Sequence, residues 1–146
     1  MKTRATFRTM KEADAEDFRI LDRSEMAHSK NLPAILLAEL KKLDEGEPAL
    51  NISRYEHSLQ SATLAYRDGA NEEMVVAALL HDIGDTLAIF NHADIAAAIL
   101  KPYVSEKTHW IVQQHALFQT SYFAKHYEGQ DPNARDHSSS QGREHP

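Results

Sequence analysis

The sequence predicts an all-α protein, and three observations support this prediction. Apolar residues recur at helical spacing along successive segments between residues 31 and 129. Asn, Ser, Gly and Pro stand at positions typical of helix starts and ends. No segment shows the sustained alternation of apolar and polar residues that indicates a strand. We therefore expect a bundle of about five helices.

The bundle is predicted to begin after an N-terminal segment. Residues 1–30 are predicted as an arm or a short helix because their apolar residues are sparse. The first helix of the bundle is predicted from Asn31, since Leu36 and its apolar neighbours recur at helical spacing. Gly46 and Pro48 are expected to end this helix.

The second and third helices are defined by their caps. Asn51 or Ser53 is the predicted N-cap of the second helix, and Gly69 is its predicted C-cap. The third helix is predicted to begin after Asn71, with acidic residues in its first turn where the helix dipole favours them. It is predicted to end at Gly84.

The remaining chain predicts two more helices and a tail. The fourth helix covers the sequence HADIAAAILKPYV and is expected to stop at Pro102. The fifth is predicted to start after Ser105 as N-cap and to close at Gly129. Residues 130–146 are predicted as a flexible polar tail because they lack an apolar stripe and are rich in polar residues.

Composition limits the classes of function. The chain has 146 residues, no cysteine and a formal net charge of -6. The absence of cysteine excludes disulfides and thiolate metal sites, so any metal must be held by nitrogen and oxygen. The acidic balance argues against nucleic-acid binding. No apolar run is long enough for a membrane span or a signal peptide, so a soluble, cytoplasmic protein is expected.

Histidine and aspartate side chains recur on the four later helices and suggest a metal site. The predicted ligands are His57, His81, Asp82, His92 and His115. Helix bundles bind metals with side chains that project inward from facing helices. Imidazole and carboxylate together suit iron, manganese, zinc or nickel. Five donors exceed the needs of one tetrahedral ion, so two divalent ions with Asp82 as a bridge are expected.

The pair His81 and Asp82 needs a special backbone position. Adjacent residues do not share one helical face, so this pair must lie in a distorted turn or at a helix end. We expect Gly84 to supply the backbone freedom. The other histidines are interpreted as surface or hydrogen-bonded core residues: His28, His109, His126, His137 and His145.

The order of these motifs resembles a known family. The segment HDIGD, preceded by a helix and by the upstream histidine in RYEHSLQSATLA, is similar to the HD-domain superfamily of metal-dependent phosphohydrolases. The similarity spans about Ser53 to Phe123. It is strongest to the diiron oxygenase branch, which includes the phosphonate-cleaving HD oxygenases. The resemblance therefore identifies residues 31–129 as an HD domain.

The resemblance also implies a pairing of the ligands. One iron would be held by His57, His81, Asp82 and a C-terminal Asp, and the other by Asp82, His92 and His115. The later candidates for the C-terminal Asp are Asp131 and Asp136. Both lie in the polar tail, so the chain is expected to be truncated relative to the family or to hold one ion with fewer ligands.

Two further positions are implied to bind substrate. The phosphonate branch uses a histidine and a lysine at the positions of Asp85 and Gln119 to hold its anionic substrate. A carboxylate at close range would repel a phosphonate. We therefore expect Asp85 to disfavour that substrate.

Three functions remain open from the sequence. The first is a non-haem diiron oxygenase that acts on a small polar organic substrate. The second is a phosphohydrolase that uses manganese, zinc or nickel to activate water against a phosphoester. The third is a truncated HD domain that acts as a non-catalytic interaction module. A homodimer is a further expectation, since a missing C-terminal helix would expose an apolar face.

Overall fold

All the regular secondary structure in the described residues is helical. The computed structural model describes residues 2–45 and 51–136. Within these ranges it contains six α-helices, three short 3-10 helices and no strand, which confirms the predicted all-α class. The chain divides into two compact units, the first ending at Glu39 and the second beginning at Leu40.

The first unit contains a longer helix than the short one predicted. A 3-10 helix, Met10–Glu12, precedes α1, Ala15–Lys30, and α2, Leu32–Lys41, follows. The side chain of Asp14 accepts hydrogen bonds from the first-turn amides of α1, and the Asp17 carboxylate accepts one from the Asp14 amide. This reciprocal capping box satisfies backbone donors at the start of α1 and stabilises it despite its sparse apolar face.

The second unit begins with the end of α2 and continues into two packed helices. These are α3, Arg54–Arg67, and α4, Glu72–Leu80, which lie against each other. Ser53 is the N-cap of α3, as one of the two predicted alternatives, and Asn71 is the predicted N-cap of α4. Gly69 follows α3 with a φ of 79°, a conformation that glycine adopts without the penalty of a Cβ atom.

Two further helices complete the second unit. They are α5, His92–Leu100, and α6, Glu106–Phe123, and a 3-10 helix, Ala124–His126, extends the latter. α5 packs on α6, and α4 also contacts α6. The Glu73 carboxylate of α4 accepts hydrogen bonds from the backbone amide of Ser105 at 2.9 Å and from its hydroxyl at 2.6 Å. These bonds attach the start of α6 to α4.

The core of this unit lies where α5 meets its neighbours. Three of the buried α5 residues are alanines, and small side chains allow close approach of helices. The buried apolar residues include Leu80, Ile83, Ala93, Ala96, Ala97, Leu100 and Val112. Ile83, in the turn after α4, belongs to this core, and Gly84 beside it packs against the start of α5.

Some predicted features fall outside the described residues. These are the helix stops at Gly46 and Pro48 and the part of the predicted tail after Asp136. α2 itself ends at Lys41, and a 3-10 turn, Lys42–Asp44, follows it. In the portion of the chain that is described, no helix combines the length and apolar character needed to cross a bilayer.

Candidate metal centre

The five predicted ligands come together in the second unit. They form two groups of three in which the donor atoms all lie within 4.8 Å of one another. The first triad is His57, His81 and Asp82, and the second triad is Asp82, His92 and His115. This grouping is the pairing implied by the sequence resemblance without the C-terminal Asp that the resemblance adds to the first ion, and Asp82 is common to both triads.

The two oxygens of Asp82 face different triads. Oδ2 lies 3.2 Å from His81 Nε2 and 3.7 Å from His57 Nε2. Oδ1 lies 3.2 Å from His115 Nε2 and 3.5 Å from His92 Nε2. The carboxylate is therefore placed to bridge two cations, one on each side.

Backbone carbonyls set the orientation of three imidazoles. Nδ1 of His81, of His92 and of His115 each donates to the carbonyl three residues earlier, at 2.8, 3.0 and 2.6 Å respectively. These bonds require the proton on Nδ1. Nε2 of each ring consequently faces Asp82 and is the nitrogen left to bind a metal, as in metal-binding histidines.

Short distances between ring nitrogens indicate whether this donor set fits a metal. Nε2 of His92 lies 3.1 Å from Nε2 of His115, and Nε2 of His57 lies 3.2 Å from Nε2 of His81. In the second triad both rings carry the proton on Nδ1, so two lone pairs face each other. They repel unless a proton or a cation lies near both of them. The facing nitrogens of His92 and His115 therefore fit a cation in the second triad, and the first triad has the same kinds of donor within the same distance.

The electrostatics of the centre favour binding of positive charge. Burial raises the pKa of the Asp82 carboxyl, but hydrogen bonds from His115 and His81 outweigh burial and hold this pKa well below its usual range. Burial opposes the charged form of His81, yet the hydrogen bond and charge of Asp82 raise its pKa. The negative charge of Asp82 thus attracts a proton to His81, and a bound metal would compete with that proton.

The end of α4 creates the required position for the adjacent ligands. α4 ends at Leu80, four residues before the predicted stop at Gly84, and His81 is its C-cap. His81 and Asp82 then occupy a series of turns. This confirms the expectation that the pair lies at a helix end, where neighbouring side chains can face the same centre.

Gly84 has a different role from the one predicted. The positive-φ glycines among the described residues are Gly69 and Gly129, so Gly84 does not use left-handed freedom. A Cβ atom at Gly84 would lie 2.6 Å from the carbonyl oxygen of His92 and 3.0 Å from Cβ of Ile95. Glycine is needed here because the turn packs directly on the backbone of α5.

Asp85 does not present a free carboxylate. Its side chain is 8% exposed, and Oδ2 lies 2.7 Å from Nε of Arg54. Burial raises the pKa of Asp85, whereas the positive charges of His92 and Arg54 oppose that increase. Arg54 thus offsets part of the negative charge on which the expected repulsion of a phosphonate depends, and that repulsion stays a prediction. Gln119, the other predicted substrate position, is exposed and its side chain forms no hydrogen bond with another described residue.

Arg54 is the site residue that sequence reasoning did not place. It lies three residues before His57 in α3. Side chains three apart lie on the same face of a helix. The spacing of Arg54 from a predicted ligand was thus a usable signal, but its partner Asp85 could be identified only from the fold.

The later aspartates are placed outside both triads. Asp131 accepts a hydrogen bond from a nearby backbone amide at 2.8 Å, and Asp136 lies 3.5 Å from the guanidinium of the preceding residue. Three other described histidines are also outside the triads: His28, His109 and His126. His137 and His145 lie beyond the described residues.

Comparisons with known proteins identify oxygenases. A family model described as "Myo-inositol oxygenase" matches residues 1–136. The curated protein [1-hydroxy-2-(trimethylamino)ethyl]phosphonate dioxygenase (glycine-betaine-forming) from Leisingera caerulea is 54% identical over 39 residues. This match covers 27% of the chain and 18% of the length of that relative. Both names agree with the oxygenase part of the predicted resemblance, and neither names the HD-domain superfamily.

Proposed function

Because this chain belongs to the myo-inositol oxygenase family, we propose that it is an oxygenase that oxidises a small polar organic substrate at a centre of two iron ions. The observation that carries this proposal is the position of Asp82 between the two triads. A carboxylate has two oxygens and can bridge two ions, whereas each imidazole offers one nitrogen. The five ligands are therefore assigned to a dinuclear centre.

Each residue has a defined part in this proposal. His57 and His81 would hold the first ion with Asp82, and His92 and His115 would hold the second with the same carboxylate. Three protein donors for each ion leave coordination positions for other ligands. When bound, the irons would supply redox chemistry with oxygen and polarise a substrate oxygen. The carbonyl-bound Nδ1 atoms keep the imidazoles in the required orientation.

The family match favours this function over the two alternatives. Phosphoester hydrolysis with manganese, zinc or nickel would use the same donor types, so geometry by itself does not separate it from oxidation. Both matched names denote oxygenases, which supports iron and oxidation. A non-catalytic interaction module has no need of four imidazoles that converge on one buried carboxylate.

The test is the metal content of protein purified without added metal. We expect elemental analysis to find about two irons per chain. We also expect a mixed-valent electron paramagnetic resonance signal after partial oxidation. Manganese, zinc or nickel together with phosphoester cleavage would replace the proposal with the phosphohydrolase. Protein without bound metal that also fails to bind added iron would support the interaction module.

A further inference from the structure

We infer that Arg54 and Asp85 form a positioning pair for the metal ligand His92. This inference rests on the proposed metal centre. Asp85 Oδ1 lies 3.1 Å from His92 Nδ1, and Asp85 Oδ2 lies 2.7 Å from Arg54 Nε. The three side chains thus form a continuous chain of polar contacts that ends at a ring whose Nε2 faces Asp82.

The Asp85 oxygen beside His92 is buried without a hydrogen bond. Nδ1 of His92 is aimed at the backbone carbonyl of Ile89, 3.0 Å away, rather than at Asp85 Oδ1. A buried carboxylate oxygen without a donor is costly, and the positive charge of a metal-bound imidazole 3.1 Å away would offset that cost. Coordination through Nε2 makes the Nδ1 proton more acidic. The negative charge of Asp85 Oδ1, 3.1 Å from Nδ1, would stabilise that ring electrostatically when Nε2 binds a metal, in addition to the hydrogen bond to Ile89.

The pair also joins three segments that carry ligands. Arg54 lies one turn before His57 on α3, Asp85 follows Asp82 in the turn after α4, and His92 opens α5. Asp85 is 8% exposed, whereas the Arg54 side chain is 50% exposed. Arg54 therefore neutralises the buried Asp85 carboxylate from the edge of the site. Its contact with Oδ2 orients the carboxylate so that Oδ1 faces His92. The pair would fix the distance between the two triads.

The experiment uses Zn²⁺ as a diamagnetic probe of the metal-stripped full chain. Calorimetric titration of the wild-type protein should show two Zn²⁺ sites. Asp85→Asn should weaken one of them by about 10–100-fold, the usual effect of losing such a partner, and leave the other unchanged. Arg54→Gln should weaken the same site less, and Arg54→Lys should recover part of the loss because it retains the charge.

Two matched variants control for general effects. Asp94→Asn makes the same change in the first turn of α5, where this exposed carboxylate accepts from Gln113 at 3.1 Å. Arg67→Gln makes the same change at the exposed other end of α3. Neither control should alter Zn²⁺ affinity. If Asp85→Asn does not fold, Arg54→Gln decides the question because its side chain is half exposed.

A second readout distinguishes positioning from folding. In Zn²⁺-loaded protein, the ¹⁵N–¹H resonance of His92 Nδ1 should shift upfield in Asp85→Asn, while that of His115 should stay in place. The positioning role alone would be overturned by the following result. The wild-type protein binds two Zn²⁺ ions, and both Asp85→Asn and Arg54→Gln keep the wild-type affinities and the wild-type His92 resonance. A wild-type chain without two Zn²⁺ sites would overturn the proposed centre and the positioning role together.

Discussion

Replacement of Gly84 by alanine should damage the second triad more than the first. The added Cβ would meet the His92 carbonyl oxygen at 2.6 Å and both His92 Cα and Ile95 Cβ at 3.0 Å. Ordinary contacts begin at 3.4 Å, so the start of α5 must move by several tenths of an ångström. Overpacking of this kind costs about 1–3 kcal/mol. His92 would move with α5, whereas His57 and His81 lie on other segments.

The assay compares stability and metal affinity in the same variant. Urea unfolding of the metal-free protein should show a loss of about 1–3 kcal/mol for Gly84→Ala. Zn²⁺ titration should show a weakened second site and a retained first site.

Gly69→Ala is the matched control for this assay. Its φ of 79° imposes backbone strain, but a Cβ there would have nothing within 4 Å. It should lose about 1 kcal/mol of stability through its backbone and keep both Zn²⁺ sites. If Gly84→Ala kept wild-type stability and wild-type Zn²⁺ affinity at both sites, the position of His92 would not depend on the close approach of the turn to α5.

Three further predictions concern the shared ligand, a buried hydroxyl and the start of α1. Asp82→Ala should abolish binding at both metal sites, whereas His92→Ala should remove chiefly the second ion; elemental analysis and Zn²⁺ titration measure this. Ser58 is fully buried and its Oγ has no hydrogen-bond partner among the described residues. Ser58→Ala should therefore leave stability to urea unchanged or raise it by about 1 kcal/mol. The hydrogen bond from Lys2 and those from α1 amides lower the pKa of Asp14 from 3.8 to about 2. The pKa of Asp14 is lower in the folded protein than in the unfolded chain. Capping by the Asp14 carboxylate therefore stabilises α1 fully above pH 3.8, and this stabilisation is lost as the pH falls through about 2. Amide hydrogen exchange in the first turn of α1 should report the loss.

Each of these predictions has an opposing result. Equal loss of both metals in Asp82→Ala and His92→Ala would contradict the assignment of His92 to one site. A clear loss of stability in Ser58→Ala would mean that its hydroxyl makes a favourable contact. First-turn exchange that does not change between pH 4 and pH 2, or that changes equally in Asp14→Asn, would show that Asp14 ionisation does not stabilise α1.

The sequence by itself determined the helical class and the set of proposed ligands. Helix starts depend on local hydrogen bonds between a cap side chain and nearby amides, so Ser53, Asn71 and Ser105 could be identified from the chain. The spacing of apolar residues that predicts a helix is also a property of neighbouring positions in the chain. The length of α1 was missed because its apolar residues are sparse, and the capping box of Asp14 and Asp17 that marks its start was not used.

Tertiary structure decided how these residues act on one another. The contact of Gly84 with α5 and the pairing of Asp85 with Arg54 join segments that are distant in the chain. Residue type and spacing could not reveal that Asp85 is neutralised, because the charge of a carboxylate is modified by whichever group the fold places within a few ångströms. The sequence therefore indicated which donors are available, and packing decided their partners and orientation.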